Sequence, residues 1–264
     1  MDIAWEAPEQ NRKMAERLML SAEKSDLYVL PEMWNTGVTT EPQGIFEIKN
    51  EELRIKNEPG ETLQWMQKMA NELDAAIAGS IAIQASDGTY RNRLYFVTPD
   101  PLPPFRGNDC QLSIVNCQFY DKHHLFSYGG ETENYTPGND YVTVEWRGVR
   151  FHLCICYDIR FPLWIRNKDN YDVLICVASW PSVRMHAWQV LLGARAIENQ
   201  CYVLGVNRIG KDPMCEYSGG TSLVDPFGFA ESCPDGEASV LTKTLDLKRL
   251  KAFREKFPVL KEMD

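Results

Sequence analysis

Apolar residues recur along this chain with two periods, and each period predicts its own kind of element. Over residues 9–24, Met14, Leu18 and Ala22 fall at helical spacing with charges on the other face, which predicts an amphipathic helix. Residues 27–30 (LYVL) then read as a short buried strand ended by Pro31. Residues 62–73 predict a second helix, with Thr62 as its N-cap and Leu63, Met66, Met69 (or Ala70) and Leu73 facing inward. Residues 75–83 and 93–97 read as strands and 119–122 as an extended segment. Residues 141–146 and 149–155 predict a hairpin about Arg147-Gly148.

Residues 172–178 predict another strand, 186–200 a helix with Val190, Leu191, Ala194 and Ile197 together, and 201–207 and 221–224 further strands. Asp225-Pro226-Phe227-Gly228 is a turn, and 241–247 reads as a last strand before a charged helix that ends near Pro258. Two stretches carry neither period. Residues 35–60 are irregular and acidic, and 99–118 hold four prolines within 99–104, which exclude regular structure there. Helical and strand patterns alternate, yet several strands are joined by turns. That combination predicts a layered α/β protein with mixed sheets faced by helices. With no repeat, linker or low-complexity segment, one domain over 1–264 is expected.

Composition narrows the function classes. A formal net charge of −9 argues against a nucleic-acid surface, which needs clustered positive charge. No apolar run reaches bilayer-spanning length, and residues 1–15 lack a basic segment followed by an apolar core, so a cytoplasmic location is expected. There the eight cysteines are expected as free thiols. They show no paired CxxC spacing and the chain has four histidines, so no metal site is expected.

Three chemically capable residues stand where an apolar run breaks into a loop: Glu32 after YVLP, Lys122 after FYD and Cys156 after HLCI. A charge at the end of a buried strand costs desolvation, so it is paired or functional. A structural Glu–Lys ion pair and an inert core thiol explain these positions as well as a catalytic site does. Cys154, two residues earlier, is the rival nucleophile, because alternate strand residues share a face.

The segments around these residues resemble the three signature segments of the nitrilase (carbon–nitrogen hydrolase) superfamily: PEMW at 31–34, YDKHHL at 120–125 and CYDIRFP at 156–162. The likeness continues through ARAIENQ at 194–200 to REKFP at 254–258, and VEWRG at 144–148 and ASWP at 178–181 point to its ω-amidase branch. The resemblance implies an α-β-β-α sandwich and cysteine-dependent hydrolysis of a small linear amide with no cofactor. Glu32 would be the general base, Lys122 the electrophilic stabiliser, Cys156 the nucleophile, and Glu131 the supporting glutamate, with Glu133 a poorer fit to that position. The backbone N–H of Tyr157 would join Lys122 at the oxyanion. For the carboxylate of an α-keto acid amide such as 2-oxoglutaramate, Arg184 is the first candidate, with Trp180 and His186 as neighbours and Trp34 and Tyr157 as walls. Arg160 is expected to pair with an acid behind the site.

The resemblance also implies a homodimer or larger homo-oligomer. Two departures stand out: relatives begin with a strand ahead of the counterpart of Asp2-Ile3-Ala4-Trp5, and residues 101–117 are extra length. A missing first strand would leave a sheet edge open. Other readings of the same residues are a carbamoylase, a deaminated-glutathione amidase, a non-catalytic relative or a redox-sensing thiol protein.

Overall fold

The computed structural model describes residues 1–44, 60–85, 87–100 and 116–262. Strand β1 (Leu27–Val29) runs parallel to β2 (Ala76–Gln84), while β3 (Tyr90–Val97) and β4 (Cys117–Asp121) continue antiparallel in the order β1-β2-β3-β4. A second sheet is built from β5 (Thr143–Trp146), β6 (Val149–Ile155), β7 (Val173–Ala178) and β8 (Tyr202–Asn207). After a ribbon of β9 (Ile209–Lys211) and β10 (Glu216–Ser218), β11 (Ser222–Val224) and β12 (Ala230–Ser232) complete that sheet, in the order β12-β11-β8-β7-β6-β5. Its centre, β6-β7-β8, is parallel. Every residue of β7 is buried, as expected of a parallel strand covered on both faces.

The two sheets pack face to face through Ala76, Ala78, Leu94 and Phe96 against Leu153, Ile155, Ile175 and Val177. Each such fully buried Leu, Ile or Val contributes about 1.5–3 kcal/mol of burial energy. Helices α1 (Pro8–Ser21) and α2 (Glu61–Leu73) cover the outer face of the first sheet through Met19, Met66 and Met69. After the single turn α3 (Glu131–Asn134), helix α4 (Met185–Glu198) covers the second sheet with Trp188, Leu192 and Ala196 over Cys154, Cys176 and Val203. The result is a helix–sheet–sheet–helix stack, as the alternation of patterns predicts.

Arg147 (φ 50°) and Gly148 (φ 77°) both take the left-handed conformation, the signature of a tight two-residue hairpin turn. Four expectations need correction. Val190 and Ile197 of the expected α4 cluster are exposed, and the helix turns Trp188, Leu192 and Ala196 inward instead. Residues 241–247 form no strand; Leu241 and Leu245, from a segment without a ladder partner, and Leu247, which opens the last helix, pack onto the inter-sheet core. Gly60 holds the N-cap position of α2, and Thr62 lies buried inside the helix. The ribbon β9–β10 and β12 carry too little apolar periodicity to be read as strands. The expected excursion at 101–117 lies, except for its last two residues, outside the described residues, as does most of the 35–60 loop. At the open side of the first sheet, β1 pairs only with β2 among the described residues.

The last helix, α5 (Leu247–Lys256), is tied down by one side chain. Arg254 donates to the Gln200 carbonyl at 2.9 Å, the Asp172 carboxylate at 2.9 Å and the Tyr171 carbonyl at 2.8 Å. Burial pushes the Asp172 pKa up, but the Arg150 and Arg254 guanidiniums outweigh it and hold the carboxyl below its ordinary value. Replacing Arg254 with Met strands these acceptors. The expected cost is about 2–3 kcal/mol, read as a lower urea midpoint at unchanged slope.

Candidate active site

The strand ends deliver their polar residues to one seam between the sheets. Pro31 ends the first strand and Glu32 follows inside a sharp turn. That turn is clamped to β2, with Met33 N donating to Ser80 Oγ at 2.9 Å and Trp34 N to Ser80 O at 3.2 Å. Lys122 directly follows β4, its backbone N–H bonded to Asn92 O at 2.9 Å. Cys156 follows β6 and opens a short 3-10 turn (Cys156–Arg160). Met33 (φ 42°) and Cys156 (φ 46°) both occupy the left-handed region, which costs a side-chain-bearing residue energy. Two of the chain's strained backbone positions thus lie beside the proposed chemistry.

Lys122, Glu32 and Glu131 are 2%, 1% and 3% exposed, a depth at which charges persist only when paired. Lys122 Nζ lies 2.9 Å from Glu32 Oε1, and 3.0 and 2.8 Å from Glu131 Oε1 and Oε2. Asn92 Nδ2 donates to the same two Oε1 atoms, at 2.8 Å to Glu32 and 3.2 Å to Glu131. Ser179 N donates to Glu32 Oε2 at 2.9 Å, and Phe126 N to Glu131 Oε2 at 2.7 Å. Two carboxylates and one ammonium therefore share a dry enclosure.

Electrostatics follow from that count. Burial alone would pull the Lys122 pKa down; the Glu131 and Glu32 carboxylates outweigh it and hold the ammonium well above the ordinary lysine value. Burial pushes the Cys156 thiol well up, and the Glu32 carboxylate adds to this against the opposing pull of Lys122. Cys156 therefore rests as a thiol beside the Glu32 carboxylate. Cys154, the rival, is buried in the core under α4 with Cys176 as its register partner on β7.

Behind Cys156, Asp158 is a fully buried hub that accepts from Tyr120 OH (2.8 Å), His124 N (2.8 Å), Ile155 N (3.0 Å) and His124 Nδ1 (3.0 Å). The 120–125 segment is thus fastened to the 156–162 segment. Aromatic rings stand on the other side: Tyr157 lies 5.1 Å from Phe126 and 5.2 Å from Phe161. Half-buried Arg160 sits over the Trp180 ring at 4.9 Å, and half-buried Arg184 over Phe126 at 5.3 Å.

The structure brings together Glu32, Lys122, Glu131 and Cys156, with Tyr157 adjacent. Glu133 is exposed, and His186 is exposed at the start of α4 with no hydrogen bond to the cluster among the described residues. Trp34 is core rather than a wall, packed against Trp65 at 5.2 Å. Arg160 has no acidic partner among the described residues. Sequence reading missed Asn92 and the N–H donors of Ser179 and Phe126. Asn92 left one signal, an amide between two arginines on a strand that is otherwise apolar toward its end.

A family model described as carbon-nitrogen hydrolase matches residues 1–255. "Omega-amidase YafV" of Yersinia enterocolitica is 36% identical, covering 99% of this chain and 93% of its own. "2-oxoglutaramate amidase" of Bacillus subtilis (strain 168) is 33% identical over 99% of this chain and 94% of its own. Of solved structures, XC1258 from Xanthomonas campestris, a CN-hydrolase superfamily protein with an arsenic adduct in its active site, superposes with a TM-score of 0.86 at 33% identity, over 100% of this chain and 94% of that one. Saccharomyces cerevisiae Nit3 shares the fold, with a TM-score of 0.79 at 21% identity over 97% of this chain and 91% of that one.

Proposed function

The chain belongs to the carbon–nitrogen hydrolase family and is an amidase; on that premise we propose that it hydrolyses the ω-amide of a small dicarboxylic acid monoamide such as 2-oxoglutaramate. Ammonia leaves through a thioester on Cys156. The observation that carries this reading is the enclosure itself, in which Lys122 is held between Glu32 and Glu131, and both Glu32 and Lys122 act on the Cys156 thiol.

Because the thiol rests protonated, it needs a base at the moment of attack. Glu32 takes the proton as the Cys156 sulfur bonds to the amide carbon and the carbonyl π electrons move to oxygen. Of the three carboxylate oxygens that Lys122 Nζ contacts, two belong to Glu131, so one N–H turns from Glu131 to that oxyanion while both carboxylates stay engaged. Tyr157 N–H stands in the first turn of its 3-10 segment, where no partner exists within the helix, and supplies a second donor. Collapse breaks the C–N bond, with the proton passing from Glu32 to the leaving ammonia. Water, deprotonated by Glu32, then cleaves the thioester, frees the carboxylic acid and restores the thiol. Glu131 keeps Lys122 charged throughout, a positioning task.

Arg184 and Arg160, over the aromatic rings beside Tyr157, suit a substrate carried by its carboxylate at the end away from the amide. The similarity to an omega-amidase and a 2-oxoglutaramate amidase supports that substrate class. Incubation with 2-oxoglutaramate, an N-carbamoyl amino acid and deaminated glutathione, read by ammonia release, tests the assignment. Preference for either of the latter two overturns it. Arg184→Met and Arg160→Met are each expected to raise KM for 2-oxoglutaramate by about 10- to 100-fold with kcat less affected, the worth of one charge-assisted hydrogen bond. Steady-state kinetics of the two variants checks this.

A further inference from the structure

Resting on that reading of the site, we propose that Asn92 is a positioning residue that holds the general base and the supporting glutamate in register on the lysine. Its single amide nitrogen donates to Glu32 Oε1 and Glu131 Oε1, two of the three carboxylate oxygens that Lys122 Nζ contacts. Each of the two N–H bonds of the amide serves one carboxylate. The four atoms close a ring in which two nitrogens stand between two oxygens. Neither glutamate can swing without losing two donors.

The other end of the same side chain shows that this arrangement is imposed. Asn92 is 1% exposed, and its Oδ1 is buried with no hydrogen-bond partner. An orphaned buried acceptor is costly, and flipping the amide would put Oδ1 against two carboxylates, which is worse. The site keeps the orphan to place the NH2 group. Asn92 O also accepts from Lys122 N, so one residue of β3 fixes both the backbone and the carboxylate partners of the lysine.

With Oε1 occupied by Asn92 and Lys122, and Oε2 bonded to Ser179 N, the Glu32 carboxylate is pinned at both oxygens while it faces the Cys156 thiol. The other charged or titratable groups around it are Lys122 after β4, Glu131 on α3, Tyr135 just beyond α3, Cys156 after β6 and Cys176 on β7. Asn92 is the neutral member, and its N–H groups bind the ionised carboxylates more strongly than the protonated ones. Its removal takes a donor from each carboxylate and leaves their mutual repulsion less compensated. Both changes make Glu32 easier to protonate, so the base form is lost at a higher pH as the solution is acidified.

The test is the acidic limb of two profiles in the intact enzyme: kcat/KM for ammonia release, and the rate of Cys156 alkylation by iodoacetamide read by peptide mass spectrometry. Asn92→Ala is expected to lower kcat/KM about 100-fold and to lift both acidic limbs by about one to two pH units, the order of one lost bond to a charged group. Asn92→Ser keeps a shorter polar side chain, should show an intermediate lift, and decides the matter if the Ala variant does not fold. Acidic limbs unmoved in a folded variant, whatever its activity, overturn the proposal and leave Asn92 a merely structural residue. Alkylation needs no amide substrate, so the two ideas fail separately. A wild type silent on every amide with a shifted alkylation limb in the variants sinks the functional reading and leaves the Asn92 role standing.

Discussion

Cys156→Ala is expected to fold and to lose ammonia release by at least about 10⁴-fold, the scale on which removal of a nucleophile abolishes covalent catalysis. The fold should hold because the change deletes one sulfur beside a carboxylate already held by three donors. Ala meets the same left-handed backbone that Cys already tolerates there. Far-ultraviolet circular dichroism and a urea midpoint check the first half, and an ammonia assay the second. Mass spectrometry of wild type quenched in acid during turnover should show an acyl adduct on the Cys156 peptide, absent from the variant. Turnover by Cys156→Ala within tenfold of wild type would transfer the nucleophile's role elsewhere, and Cys154 would then have to leave the core.

Lys122→Met is the second large effect, and it acts on stability as well as rate. Met nearly matches the lysine stem, so little packing is lost; what goes is the cation between two buried carboxylates. Removing one partner from a buried ionic group costs about 3–5 kcal/mol, because the remaining charges stay desolvated. Loss of the oxyanion donor lowers kcat by a further factor of about 10²–10³. The pH dependence has a definite sign. In wild type the raised Lys122 pKa keeps the ammonium's contribution fully in place below the ordinary lysine value, and it is lost only as pH rises past it. In the variant the two carboxylates favour the neutral form when folded, so the folded state binds more protons than the unfolded one. Its stability deficit therefore narrows as pH falls from about 7 to about 5. Urea titrations at the two pH values measure this, and a deficit that widens on acidification would contradict it.

Much of this site is legible from the chain because cost leaves a mark in sequence. Glu32, Lys122 and Cys156 each interrupt an apolar run, and a polar group at the end of a core strand stands out. Spacing alone could not say that three residues separated by 90 and 34 positions converge; the ordered likeness to known signature segments supplied that. Asn92 escaped notice because the strand expected from the apolar pattern begins at Arg93, while the observed strand starts at Tyr90. The donors of Ser179 and Phe126 are backbone groups, which every residue carries, so no side-chain pattern encodes them. The strand misread at 241–247 has a related cause. Its leucines pay their way by packing on the inter-sheet core, and apolar alternation reports burial rather than ladder pairing.

The placement of the charges at the seam bears on the order in which the molecule assembles. Asn92 and Lys122 come from the first sheet, Cys156 and Ser179 from the second, and the bond from Ser179 N to Glu32 crosses between them. While the sheets are apart, these groups remain hydrated and cost nothing. Once the sheets meet, every one must find its partner or lose its water unrewarded. A misregistered docking by two residues would keep each apolar face inward, yet it would strand the ammonium from its carboxylates. The charged cluster thus penalises a misaligned docking of the sheets, because its bonds are complete only in the native alignment.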